Sequence, residues 1–221
     1  MKASKIRGLA FATTCVASLL VTVAANATLA SFDFEGLPAT GGGADTSLVQ
    51  SNNGLTMTIT RPGSNFDIAN LSGITGPNNW GSSTLSPFND TSNTPFVINF
   101  SSTITDFTVQ MGDYDQDSDT LTLDAYSGAD GTGTLIAQDV IDWGDGNIVT
   151  DLAAFLEVSG AGINSITMIG GGSDFPNSVY YDNITAQYGS SAVPEPLTLT
   201  LFGAGLAGLG AFRRRRKVAK A

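Results

Sequence analysis

Leu55-Thr56-Met57-Thr58-Ile59-Thr60 is the stretch that decides the fold class, because its odd positions are apolar and every even position is threonine. An alternation of period two is typical of a strand with one face buried and the other exposed. The same alternation returns at 96–100, 107–111 and 121–125. We therefore predict four half-buried strands from this pattern alone.

Shorter apolar segments indicate further strands, near 32–34, 134–138, 163–169 and 179–188. Clusters of Gly, Asn, Ser and Asp separate the strands, and such clusters favour turns. The segment 150–156 is the one short helical candidate. Many short strands with polar turns and no long amphipathic helix predict an all-β, antiparallel β-sandwich, most consistent with a jelly roll.

Charge is distributed very unevenly along the chain. All twenty acidic residues fall between Asp33 and Glu195, and Arg61 is the only basic residue in that interval, which leaves it a net charge of −19. A nucleic-acid binder needs basic surface, so this class of protein is excluded. Cations from solution have to balance the negative charge of these carboxylates. Alternatively, the carboxylates form only a solvated acidic surface.

The residue types required by several catalytic mechanisms are missing. The chain has no histidine and a single cysteine, Cys15, close to the start. This excludes Ser-His-Asp and Cys-His catalysis and ordinary zinc sites. Hydrolysis by two carboxylates stays open, but no pair is singled out by its position. We expect a non-enzymatic protein, with a carboxylate-based carbohydrate-active enzyme as the alternative.

Residues 1–27 have the three parts of a secretory signal peptide. Lys2, Lys5 and Arg7 precede an apolar run at 8–24, and Ala25-Asn26-Ala27 follows it. We predict a signal helix that is cleaved after Ala27. The segment 28–190, called the body below, is long enough for one domain with a core of its own.

Residues 191–221 have the features of a membrane anchor. Val193-Pro194-Glu195-Pro196 precedes sixteen uncharged residues at 197–212, and a basic tail at 213–221 follows them. As a helix this run measures about 24 Å, short of the roughly 30 Å hydrocarbon core, so it spans only with local thinning of the bilayer. The basic tail predicts a cytoplasmic C-terminal side and a body outside the cytoplasm.

This order of motif, apolar span and basic cluster resembles the PEP-CTERM sorting signal of Gram-negative bacteria. The matching residues are Val193, Pro194, Glu195, Pro196, Arg213, Arg214, Arg215 and Arg216. The resemblance implies processing by an exosortase, an integral-membrane protease or transpeptidase of bacteria that export polysaccharide. It also implies inner-membrane anchoring before processing, and the cell surface or extracellular matrix afterwards. The alternative is an ordinary tail anchor with a proline-rich stalk.

Four aspartates form the densest acidic run of the body: Asp113, Asp115, Asp117 and Asp119. If the strand at 107–111 continued past Gly112, parity would send all four toward the core, and burying so many carboxylates is too costly. The strand therefore ends near Gly112. Alternate carboxylates in the loop that follows can converge on Ca²⁺, or they form a solvated acidic loop.

A second candidate metal site joins the two ends of the body. Phe32-Asp33-Phe34-Glu35-Gly36 and Tyr180-Tyr181-Asp182-Asn183-Ile184 resemble the terminal strands of jelly-roll carbohydrate-binding modules. The resemblance implies a structural Ca²⁺ held by Glu35 and Asp182. In the alternative arrangement, Val179 and Tyr181 face the core and Asp182 is exposed.

Trp80 and Trp143 both lie among Gly, Asn and Asp residues, which predicts loops. An exposed indole beside polar side chains can stack on a sugar ring, so we expect carbohydrate binding at these residues, or that both indoles cover the core. Three functions stay open: an exported polysaccharide-associated module, a carboxylate-based enzyme, and a structural matrix protein without a specific ligand.

Overall fold

The computed structural model describes residues 27–71, 81–87, 91–112, 118–143 and 153–189. Within these ranges every regular element is a strand, and no helix there is long and apolar enough to cross a membrane. The prediction of an all-β body is confirmed. The predicted signal helix and membrane helix lie outside the described residues. The ten strands are β1 (Thr28–Phe32), β2 (Ser47–Asn52), β3 (Leu55–Thr60), β4 (Phe66–Asn70), β5 (Ser83–Pro87), β6 (Phe96–Gly112), β7 (Asp119–Tyr126), β8 (Leu135–Trp143), β9 (Ala154–Gly171) and β10 (Tyr180–Tyr188).

Strand pairing is antiparallel throughout this sheet. The main order is β4-β5-β10-β6-β9-β7-β8, with β1 paired to β10 and the β2–β3 hairpin paired to β6. β6 and β9 are by far the longest strands, with 17 and 18 residues. β3 pairs with the first part of β6 and β10 with the second part. β6 therefore connects strands from both ends of the chain.

The alternating pattern produces the predicted burial. In β3 the apolar residues are buried and the threonines are half-buried, and β7 buries Leu121, Leu123 and Ala125 in the same way. The predicted strands at 96–100 and 107–111 are two parts of β6, with a register shift between Asn99 and Ile104. β6 is described as far as Gly112, and the aspartates at 113–117 that follow it lie outside the described residues, so the predicted strand end stays a prediction.

Aromatic rings organise one part of the core. The Phe96 ring contacts Phe66 edge to face at 5.6 Å between ring centroids, and Tyr181 at 5.1 Å. All three side chains are fully buried, and each such burial contributes roughly 1.5–3 kcal/mol to folding. The contacts tie β4, β6 and β10 together.

Arg61 lies inside this same region and is 1% exposed. Its guanidinium donates hydrogen bonds to the backbone oxygens of Ser92, Thr94 and Asn65, at 3.1 to 3.3 Å, and lies 5.7 Å from the centre of the Phe96 ring. A buried guanidinium needs such acceptors, because an unsatisfied buried charge is strongly destabilising. Arg61 thereby fixes the segment before β6 against the end of β3.

Two secondary-structure predictions were incorrect. The helical candidate at 150–156 is wrong over its described part, because Ala154 and Leu156 are alternate buried residues of β9 paired with β6. β2, β4 and β5 were not predicted at all. β2 is wholly exposed or half-buried, and β4 includes the polar residue Asp67, so neither shows a clear alternation.

Replacing Arg61 by methionine is expected to lower the free energy of unfolding by about 2 kcal/mol, because the backbone oxygens of Ser92 and Asn65 lose the guanidinium donor and that of Thr94 keeps only the Asn177 amide. Urea unfolding measured by intrinsic fluorescence checks this. Arg61→Lys is the matched control and is expected to be intermediate, since it keeps the charge but not the planar fork. An unchanged urea midpoint for Arg61→Met would show that the guanidinium contributes no stability.

Candidate functional site

Glu35 and Asp182 come from opposite ends of the body and lie at the same edge of the β1–β10 pair. β1 pairs with β10 so that Phe32 is opposite Ile184, and Glu35 follows β1 after three residues. Asp182 is 2% exposed, whereas Glu35 lies at the surface. The predicted proximity of the two terminal segments is therefore present in the fold.

A bulge in β10 explains how Asp182 is buried. The pairing with β6 shifts between Asp182 and Thr185, and Asn183 has a φ of 49°. Asn tolerates this left-handed conformation better than most residues do. Tyr181 is buried before the shift and Ile184 after it, so the buried parity changes along the strand. Val179 and Tyr181 do face the core, but Asp182 is buried as well, so neither sequence alternative was complete.

Burial, as the largest cause, and the negative charges of Glu35 and Asp33 raise the pKa of Asp182 to about 7. Hydrogen bonds from the backbone N–H groups of Asn183 and Phe34 act in the opposite direction. The Asn183 nitrogen lies 2.7 Å from the Asp182 carboxylate. This carboxyl group therefore holds a proton up to near-neutral pH unless a cation replaces it.

Glu35 is held as a carboxylate by the segment that leads into β5. Its oxygens accept hydrogen bonds from the Ser83 N–H at 2.9 Å, the Ser82 hydroxyl at 2.8 Å and the Ser82 N–H at 2.6 Å. These bonds, that of Ser83 foremost, lower the pKa of Glu35. Glu35 consequently stays ionised beside the protonated Asp182.

A polar cavity of about 290 Å³ lies between β1 and β2, lined by Ser31, Phe32, Asp33, Glu35, Gln50, Ser51 and Asn52. The Gln50 amide donates to the Asp33 backbone oxygen at 2.9 Å. The Gln50 Oε1 atom is buried and has no hydrogen-bond partner among the described residues. The cavity thus collects carboxylate and amide oxygens, the ligand types that Ca²⁺ prefers. In the part of the chain that the structure describes, however, no three His, Cys, Asp or Glu side chains are arranged to hold a metal ion.

Most of the other predicted site residues lie outside the described residues. These are Asp113, Asp115, Asp117, Trp80 and the sorting residues Val193 to Pro196 and Arg213 to Arg216. Asp119 is described and is 3% exposed, as the first residue of β7 and not part of a loop. The calcium prediction for this run stays a prediction.

Trp143 is the last residue of β8, directly opposite Asp119 in the β7–β8 pair. β8 runs five residues beyond the predicted strand end at 138, so Trp143 lies in a strand and not in the predicted loop. Its side chain is half-buried and packs against the core. Its role in ligand binding stays a prediction.

The contribution of Asp182 to the free energy of unfolding is expected to fall as the pH rises from about 4 to about 7. The unfolded chain releases this proton near pH 3.8, whereas the folded protein keeps it to about pH 7. Asp182→Asn is expected to remove this fall and to be more stable than the parent at pH 8, by an amount on the order of 4 kcal/mol at most. Urea unfolding across this pH range measures the difference.

Asp174→Asn, at an exposed carboxylate, is the matched control for that experiment and is expected to show no such change. If the difference between Asp182→Asn and the parent were the same at every pH, the buried carboxyl group would not titrate as described.

Comparison with known proteins identifies one segment of the chain. The family model described as the PEP-CTERM protein-sorting motif matches residues 192–216, which include the predicted motif at 193–196 and the arginines at 213–216. No curated protein matches the chain significantly. Residues 192–216 therefore are a PEP-CTERM protein-sorting motif, which makes this chain an exported substrate of an exosortase.

Proposed function

We propose that the protein is a non-enzymatic, surface-sorted component of the cell envelope that associates with extracellular polysaccharide. The observation that carries this proposal is the sorting motif at 192–216, which begins only four residues after the last strand ends at Tyr188. The function therefore belongs to the acidic β body that this motif delivers. Inner-membrane anchoring comes first, and the cell surface or matrix is the final location.

The carboxylates of the described residues support a non-enzymatic body, because several have structural roles. Asp67 accepts hydrogen bonds from the Gly43 and Ala44 backbone nitrogens, both at 3.1 Å. Asp106 accepts from the hydroxyl groups of Thr105 at 2.7 Å and Ser159 at 2.9 Å. A pair of carboxylates serving as acid and base requires divergent pKa values across a substrate cleft. Asp67 and Asp106 are therefore engaged in structural contacts. The carboxylate-based enzyme, as the alternative, would depend on Glu35 and Asp182, whose pKa values are displaced in opposite directions but of which Asp182 is only 2% exposed.

The finer architecture belongs to the same proposal. The ten antiparallel strands form the two layers of a jelly-roll sandwich, preceded by a signal helix within 1–27 and followed by a membrane helix at 197–212. Ca²⁺ stabilises the body through the aspartates of the run 113–119, or through Glu35 and Asp182. Trp80 and Trp143 contact the polysaccharide.

Binding to a glycan array without release of product supports the polysaccharide-associated module. Release of reducing ends that a single carboxylate-to-amide change abolishes would replace it by the carbohydrate-active enzyme. If neither binding nor release is detected, the function that remains is that of a structural matrix protein without a specific ligand. The full-length protein in detergent is the material for all three measurements.

Replacing Glu195 by alanine, or deleting 213–217, is expected to block conversion of the precursor to its processed form in a host with an active exosortase. The glutamate of the motif and the basic tail are the features that the exosortase is expected to recognise. An immunoblot of cell fractions measures the conversion. Glu157→Ala, in the exposed face of β9, is the matched control and is expected to be processed normally. Normal processing of both motif variants would refute the sorting assignment.

Adding Ca²⁺ to chelator-treated protein is expected to raise the melting temperature, because a ligand that binds only the folded state stabilises it. The stabilisation is about 2.7 kcal/mol when the free ion is one hundred times above its Kd. Paired changes locate the ion: Asp113→Asn with Asp115→Asn tests one site, and Glu35→Gln with Asp182→Asn tests the other. An unchanged melting temperature at millimolar Ca²⁺ would exclude both.

A further inference from the structure

The first and last strands of the body place the two chain ends side by side. Thr28, the first residue of β1, pairs directly with Tyr188, the last residue of β10. Tyr188 also pairs with Ile104, beside the exposed part of β6 at 101–103. Together with the turn between β2 and β3, these segments form one surface at the point where the chain leaves the body. We call it the exit end and define it as residues 28–29, 51–54, 101–103 and 188–189.

Specific hydrogen bonds build the exit end into the fold. The Tyr188 hydroxyl donates to the Asn53 backbone oxygen, and the Asn53 amide donates to the Leu29 backbone oxygen at 2.8 Å. The Thr56 backbone nitrogen donates to the Ser101 hydroxyl at 3.0 Å. Gly54 adopts a φ of 89°, and a Cβ there would come within 3.0 Å of the Tyr188 hydroxyl. The turn is therefore held closely against the last strand.

The exit end is uncharged, although the body carries a net charge of −18. None of its residues is Asp, Glu, Lys or Arg. Asp106 is the adjacent carboxylate in the register, opposite Gln187, and its oxygens accept hydrogen bonds from Thr105 and Ser159. Leu29 is 49% exposed within this surface. Charged residues are depleted at the centre of a protein–protein interface relative to the remaining surface, and the exit end shows this depletion around the exposed Leu29 side chain.

The chain length beyond the last strand limits how far away the sorting enzyme can be. Five residue steps separate Tyr188 from Val193, and an extended chain covers about 17 Å in that distance. The enzyme must therefore hold the motif at 193–196 within about 17 Å of the strand end. The part of the enzyme that holds the motif therefore lies no farther than this from the exit end.

We propose that the exit end is a docking surface for the exosortase that reads the motif. This inference rests on the proposed sorting function and adds to it a contact surface on the folded body. The chemistry of the surface, uncharged and partly apolar, fits a protein partner that excludes water.

Two charges placed in the exit end test the proposal. Ser102 and Thr103 are exposed in β6, and the double variants Ser102→Asp with Thr103→Asp and Ser102→Lys with Thr103→Lys are made in the full chain. A pulse-chase experiment measures the rate of C-terminal processing in a host with an active exosortase. Both variants are expected to slow it about tenfold, because either charge must lose its water in the docked complex.

The matched control changes Thr46 and Ser47 to aspartate. Both are exposed, and they lie at the opposite end of β2 from Asn52, about 17 Å away. This control is expected to be processed at the parental rate. Melting temperatures of the full-length variants in detergent confirm that all of them are folded.

Four outcomes separate the possibilities. If the aspartate and lysine pairs both slow processing and the control does not, the docking surface is supported. If only the aspartate pair slows it, repulsion from an anionic membrane explains the result, and the enzyme contact is refuted. If both pairs are processed at the parental rate while Glu195→Ala is blocked, the docking surface alone is wrong. Normal processing of Glu195→Ala would overturn the sorting function itself.

Discussion

The pairing of β6 with β9 is the interaction on which the rest of the body depends. The two strands pair along both of their halves, from Phe96 opposite Met168 to Met111 opposite Ala154. The β2–β3 hairpin and β10 attach to β6, and β7 attaches to β9. Because every buried backbone group needs a partner, this double-length pair supplies the template on which the shorter strands find theirs. The register shift between Asn99 and Ile104 lets β3 and β10 occupy successive parts of β6.

The predictability of each strand from sequence followed the strength of its alternation. β3 and β7 have one fully buried face and were predicted closely, since period two appears only when one face is buried. β4 and β5 pair with each other across the segment 71–82, and β5 also pairs with β10, so no local pattern indicated them. β2 pairs with the next strand, β3, across Asn53-Gly54, a two-residue turn sequence typical of hairpins that was missed. The beginning of β9 was assigned to a helix because its short run of alanine and leucine is compatible with either period. Pairing with β6 decides it, and that contact is not visible locally.

The candidate site, like the strands, could be predicted only in part from the sequence. A resemblance of the terminal segments predicted that Glu35 and Asp182 approach each other, and β1 pairing with β10 brings their segments together. The bulge at Asn183 could not be predicted, because the position of a single extra residue has no local sequence pattern. Its effect is large, since the extra residue exchanges the buried and exposed faces for the residues of β10 that follow it. Asp33 and Gln50 were also missed as members of this site, although Asp33 stands in the quoted Phe32-Asp33-Phe34-Glu35 segment. Gln50 enters from β2, a strand whose sequence shows no clear alternation of buried and exposed residues.

The distribution of charge distinguishes the surface of the body from the exit end beside the sorting motif. The single cation of the acidic segment, Arg61, is buried against backbone oxygens and Phe96, so it neutralises none of the exposed surface. The surface of the body therefore stays acidic overall, and the exit end beside the sorting motif contributes no charge to it. Intact-mass spectrometry of the protein isolated from a host with an active exosortase tests this account most directly. The account predicts a product that begins at Thr28, retains β10 through Tyr188 and lacks the basic residues 213–221. A soluble cytoplasmic product with the mass of the whole 221-residue chain would contradict it.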